Sequence, residues 1–84
     1  MEINASARRH DVDDVDIVHA VEHVVAEYEL VDDQPESRWL VLGPNRAGLM
    51  LEIVILVLDD DRELVIHAMV MRSKYAGLLE RGET

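Results

Sequence analysis

Side chains that can act on RNA follow one another near the end of the chain, in the segment "IHAMVMRSKYAGLL" at residues 66–79. His67 lies within an apolar run, and Arg72, Lys74 and Tyr75 come directly after that run. Histidine can act as a general base or acid, arginine and lysine can hold a phosphate and stabilise its added charge, and tyrosine can orient the substrate or donate a proton. The segment is therefore a candidate site for metal-independent cleavage of a phosphodiester.

Two further arginines are candidates for binding phosphate at the same site. Arg38 and Arg46 lie at the two ends of the first predicted strand, and alternation predicts that His67 shares its sheet face with Val65 and Met69. In an antiparallel meander the first and third strands flank the second, so these groups can converge on one surface. The alternative is that His67 is a core histidine with satisfied hydrogen bonds, and that the cations form the rim of a protein interface.

The N-terminal part predicts two helices that would carry this sheet. Asn4 can cap a short helix over residues 4–10, and Asp13 can cap a second helix over residues 14–28. The second helix rests on one apolar stripe at helical spacing, formed by Ile17, Val21, Val24 and Tyr28. The loop predicted at 31–37 contains acidic residues and a proline.

Three strands and a helix are predicted after that loop. The strand-like runs are 37–43, 49–58 and 64–71, and the short links between them favour an antiparallel meander. Ser73 can cap a last helix over residues 74–81, with Gly82 just beyond its end.

These elements predict an α+β fold in a single domain over residues 1–84. Two N-terminal helices would pack on one face of a small three- to four-stranded antiparallel sheet, and a short C-terminal helix would follow. Residues 53–58 are apolar at every position, so the face of the sheet opposite the two helices must also be buried. The C-terminal helix, a second copy of the chain or a partner protein could cover it, and a homodimer through the sheet is one expectation.

Composition limits the classes of function. The net charge is −10, and almost all of it belongs to residues 1–36, which carry eleven acids and two bases. Residues 37–84 carry seven acids and six bases, so this part is nearly neutral and need not repel nucleic acid. There is no cysteine, no signal-peptide pattern and no apolar run long enough to span a bilayer. We expect a cytoplasmic protein that does not bind membranes.

The sequence gives only a weak indication of a metal site. His19 and His23 stand four residues apart on one helix and could form half of a zinc site, but a third ligand is missing from the pattern and surface histidines are the simpler interpretation. Phosphate-binding glycine loops and cysteine nucleophiles are also absent from the sequence. We expect no metal and no cofactor.

The order of the motifs resembles that of a known family. The segments "ARRHDVDDVDIVHAV" (7–21), "RWLVLGPNRAGLMLEIVIL" (38–56) and "LVIHAMVMRSKYAGLL" (64–79) resemble the BrnT-like toxins of the RelE superfamily, over nearly the whole chain and in pattern rather than identity. The resemblance implies the toxin of a type II toxin–antitoxin pair, an endoribonuclease neutralised by an antitoxin of the ribbon-helix-helix type.

The resemblance also implies which residues work. Arg9 and His10 match the basic–histidine pair at the end of the first helix, Arg38 matches the arginine that opens the sheet, and Arg72 and Lys74 match the basic residues after the last strand. The predicted site thus has a catalytic group and an RNA-binding group: His67, His10, Arg72 and Tyr75 in the first, and Arg9, Arg38, Arg46 and Lys74 in the second.

The chain departs from the family pattern in three respects. Asp11 stands where the family usually has glycine with positive φ, Met69 stands where it has arginine, and the net charge is acidic rather than basic. A non-catalytic homologue that binds a partner through its apolar sheet is therefore the alternative function.

Overall fold

The elements of the fold follow one another as short strands and helices around one sheet. The computed structural model describes residues 1–31, 33 and 35–81. In chain order the elements are β1 (Glu2–Ile3), a 3₁₀ turn (Ala5–Arg8), α1 (Asp14–Glu22), β2 (Ala26–Leu30), β3 (Ser37–Pro44), β4 (Met50–Val57), β5 (Glu63–Val70), a second 3₁₀ turn (Ser73–Tyr75) and α2 (Ala76–Arg81). The five strands are ordered β1-β5-β4-β3-β2, and only the β1–β5 pair is parallel.

The predicted strands and the presence of a short C-terminal helix are confirmed, but α2 begins at Ala76, and Ser73 opens the preceding 3₁₀ turn instead of capping the helix. Strands β3, β4 and β5 coincide with the three apolar runs and pair as an antiparallel meander. The β3–β4 hairpin closes because the Asn45 side chain accepts hydrogen bonds from the backbone of Ala47 and Leu49, while Gly48 takes a φ of +88°. Gly82 and residues 32 and 34 of the predicted loop lie outside the described residues.

The helix predicted at 14–28 is wrong in its second half. It begins after Asp13 as expected but ends at Glu22, and residues 26–30 form the edge strand β2 instead. In "AEYEL" the less exposed residues Ala26, Tyr28 and Leu30 alternate with exposed glutamates, which is the period of a strand. Tyr28 satisfied the helical stripe and this alternation equally well, and pairing with β3 decided between them.

Two further predictions about the fold are wrong. Residues 4–10 contain a 3₁₀ turn rather than a helix, so one N-terminal helix is present instead of two. The sheet has five strands instead of three or four, and it is mixed rather than antiparallel because β1 pairs in parallel with β5. Asp11, which joins the 3₁₀ turn to α1, has a φ of +60°, the left-handed geometry that aspartate tolerates better than most residues.

The first face of the sheet packs against the 3₁₀ turn and α1. Its core contains Ala7, Ile17 and Ala20 from these two elements, together with Val41, Leu51, Ile53, Ile55, Val65 and Ala68 from the sheet. Gly43 allows α1 to come close, since a Cβ at this position would lie 2.3 Å from the carbonyl oxygen of Ala20. One face is covered by N-terminal elements as expected, but by α1 and the 3₁₀ turn rather than by two helices.

The second face is covered in part by the C-terminal segment. Tyr75, Leu78 and Leu79 pack on a smaller core that includes Leu40 and Leu42. The Tyr28 hydroxyl donates a hydrogen bond of 2.6 Å to the carbonyl oxygen of Leu78, which ties α2 to the edge strand β2. None of the helices in the described residues has the length and apolarity needed to cross a membrane.

Candidate functional site

A buried carboxylate organises the candidate site. Glu52 lies in the middle of β4 and is fully buried. Its two oxygens accept hydrogen bonds from His67 Nε2 at 2.9 Å, from the Arg72 backbone N–H at 2.8 Å, and from Arg72 Nη2 and Nε at 2.7 and 3.0 Å. Glu52 therefore holds together a histidine of β5 and an arginine of the segment that leads to α2.

The hydrogen bonds keep this carboxylate ionised. Burial by itself would raise the pKa of Glu52. The side chain and backbone of Arg72 and the ring of His67 outweigh burial and lower the pKa of Glu52 from its usual 4.5 to about 2. The same contact raises the pKa of Arg72, because Glu52 hydrogen-bonds to the charged guanidinium.

A β-bulge directs His67 toward Glu52. In β5, Val65 pairs with Ile55, but His67 pairs with Val54, so Ile66 is an extra residue in the ladder. The prediction that Val65 shares a face with His67 and Met69 is therefore wrong. Val65 is buried in the core below α1. Met69, by contrast, pairs with Glu52 and shares the face of His67 by register.

The contact with Glu52 assigns the proton of His67. An ionised carboxylate is an acceptor only, so Nε2 of His67 must donate in this bond. In the neutral ring Nδ1 is then unprotonated and can take a proton from another group. The side chain is 26 % exposed, which permits contact with a ligand.

His10 lies beside His67, although 56 residues lie between them in sequence. Their ring centroids are 5.6 Å apart and the rings meet edge to face at 75°. His10 is exposed and follows the 3₁₀ turn, which is anchored to β5 by a 2.7 Å hydrogen bond from the Ser6 hydroxyl to the carbonyl oxygen of Ile66. The structure thus brings together the two histidines that the sequence assigned to catalysis.

The basic residues after β5 surround a tyrosine ring. The guanidinium carbon of Arg72 lies 5.7 Å and Nζ of Lys74 lies 5.0 Å from the centroid of Tyr75. The Tyr75 ring is half-buried and packs on the smaller core of the second sheet face, so it is a fixed surface against which the two cations lie. Arg72 is 46 % exposed and Lys74 is exposed, so both can reach a phosphate.

The other predicted RNA-binding residues are spread over the molecule. Arg9 is exposed and next to His10. Arg38 lies on the same face of the sheet as His67 by register, but two strands away from it. Its partner Leu56 is two positions from Val54, the partner of His67. At ordinary sheet spacings the Cα atoms of Arg38 and His67 are therefore roughly 12 Å apart. Arg46 does not reach the site, because its backbone N–H and Nε both donate to Asp16 of α1, at 3.0 and 2.9 Å.

The residue that sequence reasoning missed is Glu52. The signal was present, because Glu52 is the single charged residue in the apolar run "LMLEIVILVL" at 49–58. A carboxylate buried in such a strand needs cationic or hydrogen-bonding partners, so its position predicts a nearby arginine, lysine or histidine. The partners themselves come from distant segments and could not be read from the run.

The predicted half of a zinc site is not extended by other residues. His19 and His23 stack with ring centroids 4.1 Å apart, and each Nδ1 contacts a backbone carbonyl oxygen, of Pro44 and His19 respectively. Within the part of the chain that the structure describes, no three histidine, aspartate or glutamate residues are grouped as a metal site.

The site therefore combines an oriented base, a second histidine and two exposed cations around a buried carboxylate. This set can transfer protons and bind an anion. Searches against protein-family models, curated proteins and solved structures each found no match to this chain.

Proposed function

We propose that the protein is a metal-independent endoribonuclease, the toxin of a type II toxin–antitoxin pair. The observation that carries the proposal is the cluster of His67, His10 and Arg72 around the buried carboxylate of Glu52. Two adjacent histidines and a cation are the groups that an internal attack on an RNA phosphodiester requires.

The proposed reaction uses each member of the cluster at a stated atom. Nδ1 of His67 takes the proton of the ribose 2′-hydroxyl, and the 2′-oxygen attacks the phosphorus. The bond to the 5′-oxygen breaks, and His10 in its protonated form donates a proton to that leaving oxygen. The products are a 2′,3′-cyclic phosphate and a free 5′-hydroxyl, so the RNA is cleaved without an added water.

The remaining residues position and bind. Glu52 fixes the ring of His67 and stabilises the imidazolium that forms when Nδ1 is protonated. Arg72 and Lys74 stabilise the charge that develops on the phosphate. The hydrogen bonds between Arg72 and Glu52 use Nε and Nη2, so the second terminal nitrogen, Nη1, is not engaged in that pair.

The biological setting of the proposal is the cytoplasm, where the RNA is found. A protein antitoxin of the ribbon-helix-helix type would neutralise the enzyme, as the family resemblance implies. The nearly neutral charge of residues 37–84 supports contact with RNA, because the acids of the chain are concentrated in residues 1–36.

A non-catalytic interaction module is the second candidate. It is favoured by Met69, which pairs with Glu52 and puts an apolar side chain beside the polar cluster. In that case the Glu52 bonds to His67 and Arg72 only fix the segment between β5 and α2. Loss of catalysis with retained partner binding would then be expected.

An RNA cleavage assay in the presence of EDTA decides between the two functions. We expect the wild-type chain to cleave RNA and leave 2′,3′-cyclic phosphate ends. His10→Ala should lower the rate by about 10²–10⁴-fold, the usual effect of removing one positioned acid–base group. His10 is exposed and outside the hydrogen bonds of Glu52, so this variant should keep the wild-type stability.

His23→Ala is the matched control, because His23 is an exposed histidine that directly follows α1. It should keep the full rate. The same pair can be tested in cells, where only His10→Ala should relieve growth arrest caused by the chain without its antitoxin. If the wild-type protein neither arrests growth nor cleaves RNA, the nuclease proposal is refuted and the non-catalytic interaction module becomes the favoured function.

A further inference from the structure

A groove remains open on the face of the sheet that carries α1. It has a volume of about 150 Å³ and is lined by residues of four strands: Glu27, Trp39, Val41, Ile55, Val57 and Glu63. Among these residues Val41 and Ile55 are buried, whereas Trp39 and Val57 are half-buried and lie closer to solvent. Glu27 and Glu63 are exposed at its two ends.

The groove exists because α1 is short. A helix of nine residues is about 14 Å long, whereas strands of eight residues extend for about 26 Å. Helix α1 packs over the end of the sheet that contains Gly43. The other end, with Trp39 and Val57, has no helix above it among the described residues.

The size and charge of the groove select its occupant. A volume of about 150 Å³ is well below the roughly 300–1,000 Å³ of small-molecule sites, so the groove takes a side chain rather than a whole ligand. The apolar lining residues select an apolar side chain. The carboxylates of Glu27 and Glu63 at opposite ends, with no arginine or lysine among the lining residues, select cations on both sides of it.

The direction of the groove selects a helix over a strand. It crosses from β2 through β3 and β4 to β5, so a segment that follows it runs across the strands and cannot extend the sheet by backbone hydrogen bonds. Both faces of this sheet are otherwise covered by helical segments. We propose that this groove binds an amphipathic helix of a partner protein, with a large apolar side chain between Trp39 and Val57 and lysine or arginine residues against Glu27 and Glu63.

This docking surface is separate from the histidine cluster. Ile55 and Glu52 point to opposite faces of β4 by alternation, and Ile55 belongs to the core below α1. The binding proposal therefore stands whether or not the chain cleaves RNA. RNA cleavage and helix binding can be lost separately.

Trp39 is the single tryptophan of the chain and lies in the groove, so its fluorescence reports occupation directly. The probe is a synthetic amphipathic helical peptide with a leucine stripe flanked by lysines, titrated into the 84-residue chain. We expect a saturable shift of Trp39 emission that weakens as salt is added. The same peptide with glutamate in place of lysine, or serine in place of leucine, should produce no saturable shift.

The double variant Glu27→Lys/Glu63→Lys should weaken binding of the lysine peptide by about tenfold or more, since it turns two attractions into repulsions. Glu22→Lys/Glu80→Lys is the matched control, with the same charge change at exposed residues of α1 and α2. It should alter the affinity by less than about threefold. Circular dichroism checks that both double variants are folded. If one of them is not, the peptide series on the wild-type chain still tests the proposal.

Results of three kinds would overturn the proposal. The first is no saturable shift with the lysine–leucine peptide. The second is equal binding of the glutamate peptide, or equal weakening by both double variants. The third is a stable dimer of the wild-type chain in sedimentation experiments that the lysine peptide cannot dissociate, which would give the groove to a second copy.

Discussion

Replacement of Glu52 by glutamine tests whether the buried carboxylate holds the two polar segments together. Glutamine has nearly the same shape, so it leaves little cavity in β4. It removes the charge, however, and its NH₂ group cannot accept the bonds that one carboxylate oxygen now receives. Of the two oxygens that now accept bonds from His67 and Arg72, only one remains as an acceptor.

The pKa of Glu52 sets the size of the effect. A decrease from 4.5 to about 2 corresponds to about 3 kcal/mol of stability at neutral pH, at about 1.4 kcal/mol per pKa unit. Breaking a buried ion pair usually costs about 3–5 kcal/mol. Arg72 is 46 % exposed and can turn to water, so the lower end applies. We expect Glu52→Gln to lower the free energy of unfolding by about 2–3 kcal/mol, a large part of the roughly 4–13 kcal/mol typical of a domain this size.

The sign of the pH dependence follows from the same pKa. Because folding lowers the pKa of Glu52, the contribution of this residue is complete above the unfolded value and is lost as the pH falls toward 2. The difference in stability between wild type and Glu52→Gln should therefore be about 2–3 kcal/mol at pH 5 and should shrink by about 2 kcal/mol, to less than about 1 kcal/mol, at pH 3. Taking the difference removes the contributions of carboxylates common to both proteins.

Urea unfolding followed by Trp39 fluorescence measures both quantities. Glu63→Gln is the control, because Glu63 is an exposed glutamate on a strand and its replacement should change stability by less than about 0.5 kcal/mol. A loss below about 1 kcal/mol at pH 5, or a loss that does not shrink by pH 3, would refute the assignment of Glu52 as the ionised centre of the site.

Two further predictions test how the helices are held on the sheet. Gly43→Ala should destabilise the fold by about 3 kcal/mol, because the added Cβ would lie 2.3 Å from the backbone oxygen of Ala20. Gly77→Ala in α2 is the comparison: the added Cβ meets open space, so this change should stabilise the fold by about 0.5–1 kcal/mol. Equal effects of the two changes in thermal unfolding would disprove the close approach of α1. Tyr28→Phe should cost about 1 kcal/mol through loss of the 2.6 Å bond to the carbonyl oxygen of Leu78, and unchanged hydrogen exchange in α2 would argue against that tether.

The candidate site could be predicted only in part. The residues themselves pointed to His67 and Arg72, and the family resemblance added His10. In the structure His10 lies beside His67, and His67 and Arg72 share the carboxylate of Glu52. Sequence reasoning also grouped Arg46 with them, but Arg46 is held by Asp16 on the helical face. Nothing in the local sequence distinguishes Arg46 from Arg72 as a site residue. Their different positions follow from which carboxylate each one meets after folding.

The sequence by itself determined the central part of the fold. Residues 37–70 form three strands because their apolar runs, short polar links and turn residues act locally. The start of α1 after Asp13 was also readable, although the Asp13 side chain does not make the expected capping hydrogen bond. The concentration of acids in residues 1–36 was equally readable, since charge is a property of composition.

Only the tertiary structure decided the edges of the sheet and the orientation of the site. Strands β1 and β2 are short and exist through pairing with β5 and β3, so local preference could not separate them from helix or loop. The extra residue Ile66 in β5 moved His67 relative to Val65, because a one-residue shift reverses the face of every following side chain. Glu52 acquired its role in the same way, since its partners come from a neighbouring strand and from the segment beyond it.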